Sequence, residues 1–222
     1  PSSELMNERF DLSRAALDAF SARSHERAHA ATRAGKFRDQ MVPITADPDD
    51  PTGPVIDSDE GIREHIDPAK MASLKAVFGA DGRTTAANSS QISDGAAALL
   101  IADREYAERN GLIPRARFRA LSVAAADPII QFTAILDAAH KALGRSGLAV
   151  EEIDLFEVNE AFAGVPLIFQ REFGVPDDKL NVNGGSVALG HPLGSTGARM
   201  LTDLLCELER SGKRFGLQTV CE

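Results

Sequence analysis

From residue 116 to residue 221 the chain alternates extended and helical patterns in short, regular steps, and no other feature restricts its fold so far. Residues 116–126 read as a strand, 131–143 as a helix, 153–158 as a buried strand and 161–173 as a helix. Residues 180–183 follow as a short strand, 197–210 as a helix and 215–221 as a final strand. Strands separated by helices lie side by side with the helices laid across them, which is an α/β layer. Upstream the pattern is less regular. Residues 12–34 predict a helix with Ser13 at its N-cap, Leu17 and Phe20 on its apolar face and Gly35 as its stop. Residues 36–45 look extended, 46–68 form an acidic Pro/Gly-rich surface excursion, and 71–78 predict a short helix. After the Asp81-Gly82 turn, 83–90 look extended and 96–109 predict an alanine-rich helix.

Composition excludes several function classes. With 222 residues, 43% of them hydrophobic, the chain can bury a sizeable core. A net charge of −9 argues against nucleic acid as a main partner. No apolar run approaches the roughly 18–20 residues of a membrane span. Cys206 and Cys221 give neither a disulfide framework nor a metal-ligand spacing, so no metal is expected. Cys206, among Leu204, Leu205 and Leu208, reads as a buried structural thiol. The opening, PSSELMNERF, lacks an initiator Met, and the close, LQTVCE, is an apolar run without a final turn. The expectation is a fragment of a longer protein and, without a signal-peptide pattern, a cytoplasmic one.

Three polar groups stand where a strand ends or a loop enters a helix, the places where ligands gather in open α/β sheets. Asn159-Glu160 follows the strand DLFEV, His191 sits in the glycine-rich run NVNGGSVALGHPLGSTGAR, and Cys221 follows LQTV. An imidazole at a loop tip beside a helix N-terminus can exchange a proton near neutral pH and meet developing negative charge. Taken singly each has a plain structural reading: a turn around His191, a helix cap at Asn159, a first-turn dipole partner at Glu160, a core thiol at Cys221. Together, a carboxamide, an imidazole and a thiol at strand ends are suited to orienting water, taking a proton and exchanging a proton with carbon.

On these stretches the chain resembles the thiolase family of acyl-CoA:acetyl-CoA C-acyltransferases. The resemblance is carried by VNEAFA at 158–163, NVNGGSVALGHPLGSTGAR at 181–199 and LQTVCE at 217–222. LSRAALDAFSARSHERA at 12–28 and TTAANSSQISDGAAALL at 84–100 support it. It implies the layered α-β-α-β-α thiolase fold. Residues 1–93 would form the loop domain on the coenzyme A side, 94–113 a segment of the N-terminal core, and 114–222 a C-terminal domain truncated at its last strands. It also implies Claisen exchange through a cysteine acyl-enzyme. His191 would activate the nucleophile and bind the thioester oxygen, Asn159 would hold a water in the same oxyanion site, and Cys221 would serve as the acid/base at the acetyl Cα.

The resemblance further implies coenzyme A or acyl-CoA as substrate, with no permanently bound cofactor. Ser90 would contact the pantetheine arm, Phe78 and Leu74 would flank it, Arg63 would lie near the adenine, and Phe162 would wall the pocket. Ordinary core packing remains the other reading for Phe78, Leu74 and Phe162, and a solvated role beside His65 the other reading for Arg63. The family's nucleophilic cysteine and its closing glycine run match nothing in these residues, so the chain alone is expected to be inactive. The parent is expected to be a homodimer or homotetramer. SSQISDG with LQTVCE looks more like degradative 3-ketoacyl-CoA thiolases, steroid side-chain types included, than synthetic short-chain ones. A non-catalytic acyl-CoA or lipid-binding relative is the alternative.

Overall fold

The computed structural model describes residues 2–221; Glu222, the last residue of LQTVCE, lies outside them. The chain opens with α1, Ser2–Arg9, and α2, Arg14–Arg33. The Ser13 hydroxyl accepts the Ala16 N–H at 3.1 Å, supplying the cap its sequence promises, and Gly35 closes α2 at φ +70°. The buried face of α2 is Leu17, Phe20, Ser21, Ser24, His25, Ala28 and Ala31, apolar at one end and small or polar at the other.

The next stretch departs from its sequence pattern. Residues 36–40 turn rather than extend. The acidic excursion carries a small antiparallel ribbon, β1, Ile44–Thr45, against β2, Val55–Ile56. The helix expected over 71–78 is α3, Pro68–Ser73, because the Asp67 carboxylate caps Ala69 and Lys70 and Pro68 supplies the preset first turn. It ends before Leu74, which is extended.

Two further expectations fail for one reason. Of residues 96–109 only α4, Arg104–Arg109, is helical, and 116–126 form no strand. Leu100 and Ile101 are 81% and 66% exposed, and Leu121 and Val123 are 67% and 89% exposed. Helices and strands draw most of their stability from packing and pairing, and these apolar side chains stay largely exposed.

The remaining elements form the α/β layer. They are α5, Ala134–Ser146; β3, Leu155–Val158; α6, Gly164–Phe173; α7, Ser186–Leu189; α8, Leu193–Ser211; and β4, Gly216–Thr219. Single 3-10 turns occur at Val150–Glu152 and Asp177–Lys179. β3 and β4 are parallel, with Phe156 opposite Leu217 and Val158 opposite Thr219, and Leu180 bridges to Phe156 on the other edge.

Side-chain alternation assigns the two faces. Phe156, Val158 and Leu217 join Ile135 and Ala139 of α5 and Ile168 and Phe169 of α6 in one core cluster. The opposite face meets α8: the Gln218 amide donates to Gly197 O at 2.9 Å, and a Cβ on Gly216 would come within 2.8 Å of Leu204. Here the leucine stripe of α8 is a poor guide. Its buried residues are Thr196, Met200, Asp203, Leu204 and Glu207, so two carboxylates lie inside while Leu201, Leu205 and Leu208 are half-buried. Cys206 is half-buried too, and accepts a hydrogen bond from the Arg115 guanidinium at 3.5 Å rather than sitting in the core.

Candidate active site

The parallel register of β3 and β4 brings their C-terminal ends together. Asn159, the first residue past β3, donates its N–H to Thr219 O at 3.0 Å, so it is held by the strand pair and is not a helix cap. The following helix instead starts at Gly164, with Ala163 at its cap. Cys221 lies two residues beyond Thr219, at this same end of the sheet, half-buried against the core.

His191 reaches the site from the glycine-rich loop. Gly190 adopts φ +88°, and any Cβ there would strike Ser93, so only glycine allows the turn that delivers the imidazole. The His191 N–H donates to Gln91 O at 3.1 Å. Its Nε2 lies 3.2 Å from Asn159 Nδ2 and its Nδ1 2.7 Å from Thr196 Oγ1. His191 is 8% exposed and Asn159 1%, so imidazole and carboxamide meet largely out of water. Both stand at the mouth of the layer, next to the first turn of α8.

Around this pair the loop is clamped to the rest of the fold. Glu160, fully buried, accepts from Ser24 Oγ at 2.7 Å, Asn181 Nδ2 at 2.9 Å and Val187 N at 3.1 Å. Burial raises its carboxyl above the ordinary range, while these donors and the Arg199 charge pull it back. Asn181 takes the left-handed conformation at φ +45° and also bonds both Val158 N and Val158 O. Glu157, one strand residue earlier, faces α8; burial and the nearby Asp203 charge raise its carboxyl well above the usual range.

The candidate coenzyme A residues fall into two groups. Ser90 donates its N–H to Ala161 O at 3.0 Å, and Ser89 bridges to Phe162, so this loop lies directly beside the Asn159 turn. Phe162 stacks edge-on with Phe132, ring centroids 5.3 Å apart. Leu74 is half-buried after α3, its carbonyl accepting from Arg14 at 3.3 Å; Arg14 pairs with Asp18, which in turn accepts from Asn88 beside Ser90. Phe78 is 37% exposed and Arg63 is exposed; Arg63 contributes its N–H to His25 Nδ1 at 3.1 Å. Thus Asn159, His191, Cys221, Ser90 and Phe162 gather around one end of the sheet, while Leu74, Phe78 and Arg63 belong to the flanking loops.

Gln91, Ser186, Thr196 and Arg199 contact the site residues and were not singled out by sequence. Gln91 donates to the carbonyls of Gly61, Val187 and Ala188 while its own carbonyl holds His191. All four lie within stretches that carry the family resemblance, which was the available signal. Among the described residues, no group of three or more His, Cys, Asp or Glu could hold a metal ion, and no helix is long and apolar enough to cross a membrane.

The parallel α/β layer thus carries an Asn–His pair and a thiol at its strand ends, where such sheets gather their ligands. The chain belongs to the thiolase family: the model of the thiolase N-terminal domain matches residues 2–105 and that of the C-terminal domain residues 112–222. It is 46% identical over 220 residues to the steroid 3-ketoacyl-CoA thiolase FadA6 of Mycobacterium tuberculosis, covering 99% of this chain and 52% of that protein. It is 44% identical over 222 residues to a 3-ketoacyl-CoA thiolase of Serratia proteamaculans, covering 98% of this chain and 57% of the relative. The structure resembles the Bacillus anthracis acetyl-CoA acetyltransferase with a TM-score of 0.94 at 39% identity, covering 99% of this chain and 56% of that one. It resembles human mitochondrial 3-ketoacyl-CoA thiolase in complex with CoA with a TM-score of 0.91 at 32% identity, covering 99% and 54%. The fold is therefore that of thiolases, and the chain spans about half the length of the relatives it matches.

Proposed function

We propose that these residues are the part of a 3-ketoacyl-CoA thiolase that carries the thioester-oxygen site and the acid/base thiol, with the nucleophilic cysteine supplied by residues outside this sequence. The observation that carries the reading is the buried contact between His191 Nε2 and Asn159 Nδ2 at the ends of two parallel strands. In thiolysis a cysteine thiolate adds to the keto carbon of the substrate, and the Cα–Cβ bond breaks with its electron pair going to the acetyl-CoA enolate. Cys221 gives its proton to that carbon. The sulfur of coenzyme A then displaces the enzyme sulfur from the acyl group. His191 takes the proton of the nucleophile, and Asn159 completes the polar site for the oxyanion.

On this reading Ser90 and Phe162 line the pantetheine arm near the reacting carbon, and Leu74, Phe78 and Arg63 extend the contact along coenzyme A. The domain division is loop domain over 1–93, core segment over 94–113 and C-terminal domain over 114–222. Inactivity of these 222 residues alone, a place in β-oxidation, a homo-oligomeric parent and a cytoplasmic location belong to the same proposal. Two plant relatives carry "peroxisomal" in their names, so location is decided by fractionation.

The test uses the complete polypeptide that carries this sequence, assayed for CoA-dependent loss of 3-ketoacyl-CoA. Cys221→Ala should stop exchange of the acetyl-CoA methyl protons with deuterated water, while mass spectrometry still finds an acylated cysteine. His191→Ala should lose the acyl-enzyme. Methyl exchange at the parental rate in the Cys221 variant would overturn the role of that thiol. Coenzyme A binding without any turnover would point to a non-catalytic relative.

A further inference from the structure

Both ends of the hydrogen-bond chain through His191 are groups with a single possible role. At one end the Arg199 guanidinium can only donate, and its Nη2 reaches Ser186 Oγ at 3.1 Å. Ser186 directs its hydroxyl proton to Asn159 Oδ1 at 2.6 Å. That turns the carboxamide so that Nδ2–H faces His191 Nε2 at 3.2 Å. At the other end the Pro192 carbonyl can only accept, and it takes the Thr196 hydroxyl proton at 3.0 Å. Thr196 Oγ1 is then an acceptor for His191 Nδ1 at 2.7 Å. The two ends demand the same state of the imidazole, with the proton on Nδ1 and the lone pair on Nε2.

We propose that Arg199 is a positioning residue that sets the tautomer of His191, acting through Ser186 and Asn159 to keep Nε2 free of a proton. The two ends of a carboxamide have nearly the same shape, so packing alone leaves the orientation of Asn159 undecided; a donor-only group behind Ser186 decides it. The reverse arrangement conflicts at two places. With a proton on Nε2, Asn159 would present Oδ1 to the imidazole, and its Nδ2–H would displace the Ser186 proton. Thr196 would have to leave the Pro192 carbonyl in order to donate to Nδ1. Arg199 is itself fixed by Asp203 one helical turn on, at 2.7 Å, and Asn159 by Thr219 O. The assignment deepens the reading of His191 as the base of the acyl-transfer site and rests on it for its purpose, not for its geometry.

The test is the tautomer itself, read from the imidazole nitrogens of the protein labelled with 15N-histidine, with His191 assigned by its loss in His191→Gln. In the parent, Nδ1 should resonate in the protonated, pyrrole-like range and Nε2 in the bare, pyridine-like range while the ring is neutral. Ser186→Ala leaves the Arg199–Asp203 pair in place and should move both signals toward each other as the tautomers mix. Arg199→Met should do the same, and Arg199→Lys, which restores a donor, should return the signals most of the way. A protonated Nε2 in the parent overturns the proposal, as do parental shifts in Ser186→Ala. These readings do not depend on turnover, so they separate this assignment from the acyl-transfer reading. In the complete enzyme, Ser186→Ala should slow acylation about tenfold with KM unchanged; a raised KM with unchanged acylation would assign Ser186 to binding instead.

Discussion

Ser24, in the middle of α2, donates its hydroxyl to the Glu160 carboxylate at 2.7 Å across 136 residues of sequence, and the same Oγ accepts the Gly185 N–H at 3.1 Å. One serine thus joins the first long helix, the turn after β3 and the glycine-rich loop. The site is framed by this contact rather than by its own neighbours in the chain.

Glu160 should therefore tolerate no change that keeps only its shape. Three donors converge on its oxygens, so Glu160→Gln sets an amide N–H against at least one of them. The expected loss is about 2 kcal/mol, and Glu160→Ala, leaving all three donors unmet, should cost about 3–5 kcal/mol. Urea unfolding measures both; a Gln variant as stable as the parent would show that the clamp carries no energy.

Gly184 predicts a second large effect. It sits at φ +80°, and an added Cβ would lie 2.6 Å from Ser24 O, a backbone atom that cannot swing aside. Gly184→Ala should destabilise by about 2–3 kcal/mol, whereas Gly194→Ala, where a Cβ meets nothing, should change stability far less. Thermal melts of the two variants side by side check the contrast.

His25 gives a pH dependence with a defined sign. Burial, reinforced by the Arg63 charge, pushes its imidazole down to about 4 from an ordinary 6.5. Below the unfolded value the unfolded chain takes up a proton that the native state refuses, so this contribution is full above about pH 6.5 and fades as pH falls toward about 4. Comparing the parent with His25→Asn should show the parent losing about 2 kcal/mol more across that window, after allowance for partial screening. Equal pH profiles would rule His25 out as the source.

Ser13 offers a local control. Its hydroxyl satisfies an orphan N–H at the start of α2, so Ser13→Ala should cost about 1 kcal/mol and Ser13→Asp very little. Neither change should alter the His191 signals, since Ser13 takes no part in the chain from Arg199 to Pro192.

What the sequence made legible follows the range of the forces involved. α2 with its Ser13 cap, β3, α6 and β4 are written in local periodicity and end signals, and all form. Residues 96–103 and 116–126 carry equally good local patterns yet stay irregular, because Leu100, Leu121 and Val123 are left largely exposed instead of packed. The leucines of α8 suggested its inner face, but buried Asp203 and Glu207 can turn inward because Gln40, Asn183 and Lys36 reach them from elsewhere, beside Arg199 on the same helix. His191 and Asn159 were visible as motif residues. Ser186 and Arg199 were visible only as letters, since their importance lies in whom they touch, and a hydroxyl 27 residues away from its acceptor leaves no local trace.

The mixed face of α2 bears on how such a chain is made. α2 is complete after residue 33, but its partners Glu160 and Gly185 leave the ribosome more than a hundred residues later, and loops closed over such distances form late. A helix that waited so long with a leucine-rich face would be open to association with other nascent chains. Beyond Phe20 this one waits with Ser21, Ser24, His25, Ala28 and Ala31, side chains that water accommodates. The polar grip that later frames the site also lets its first half stand exposed without sticking.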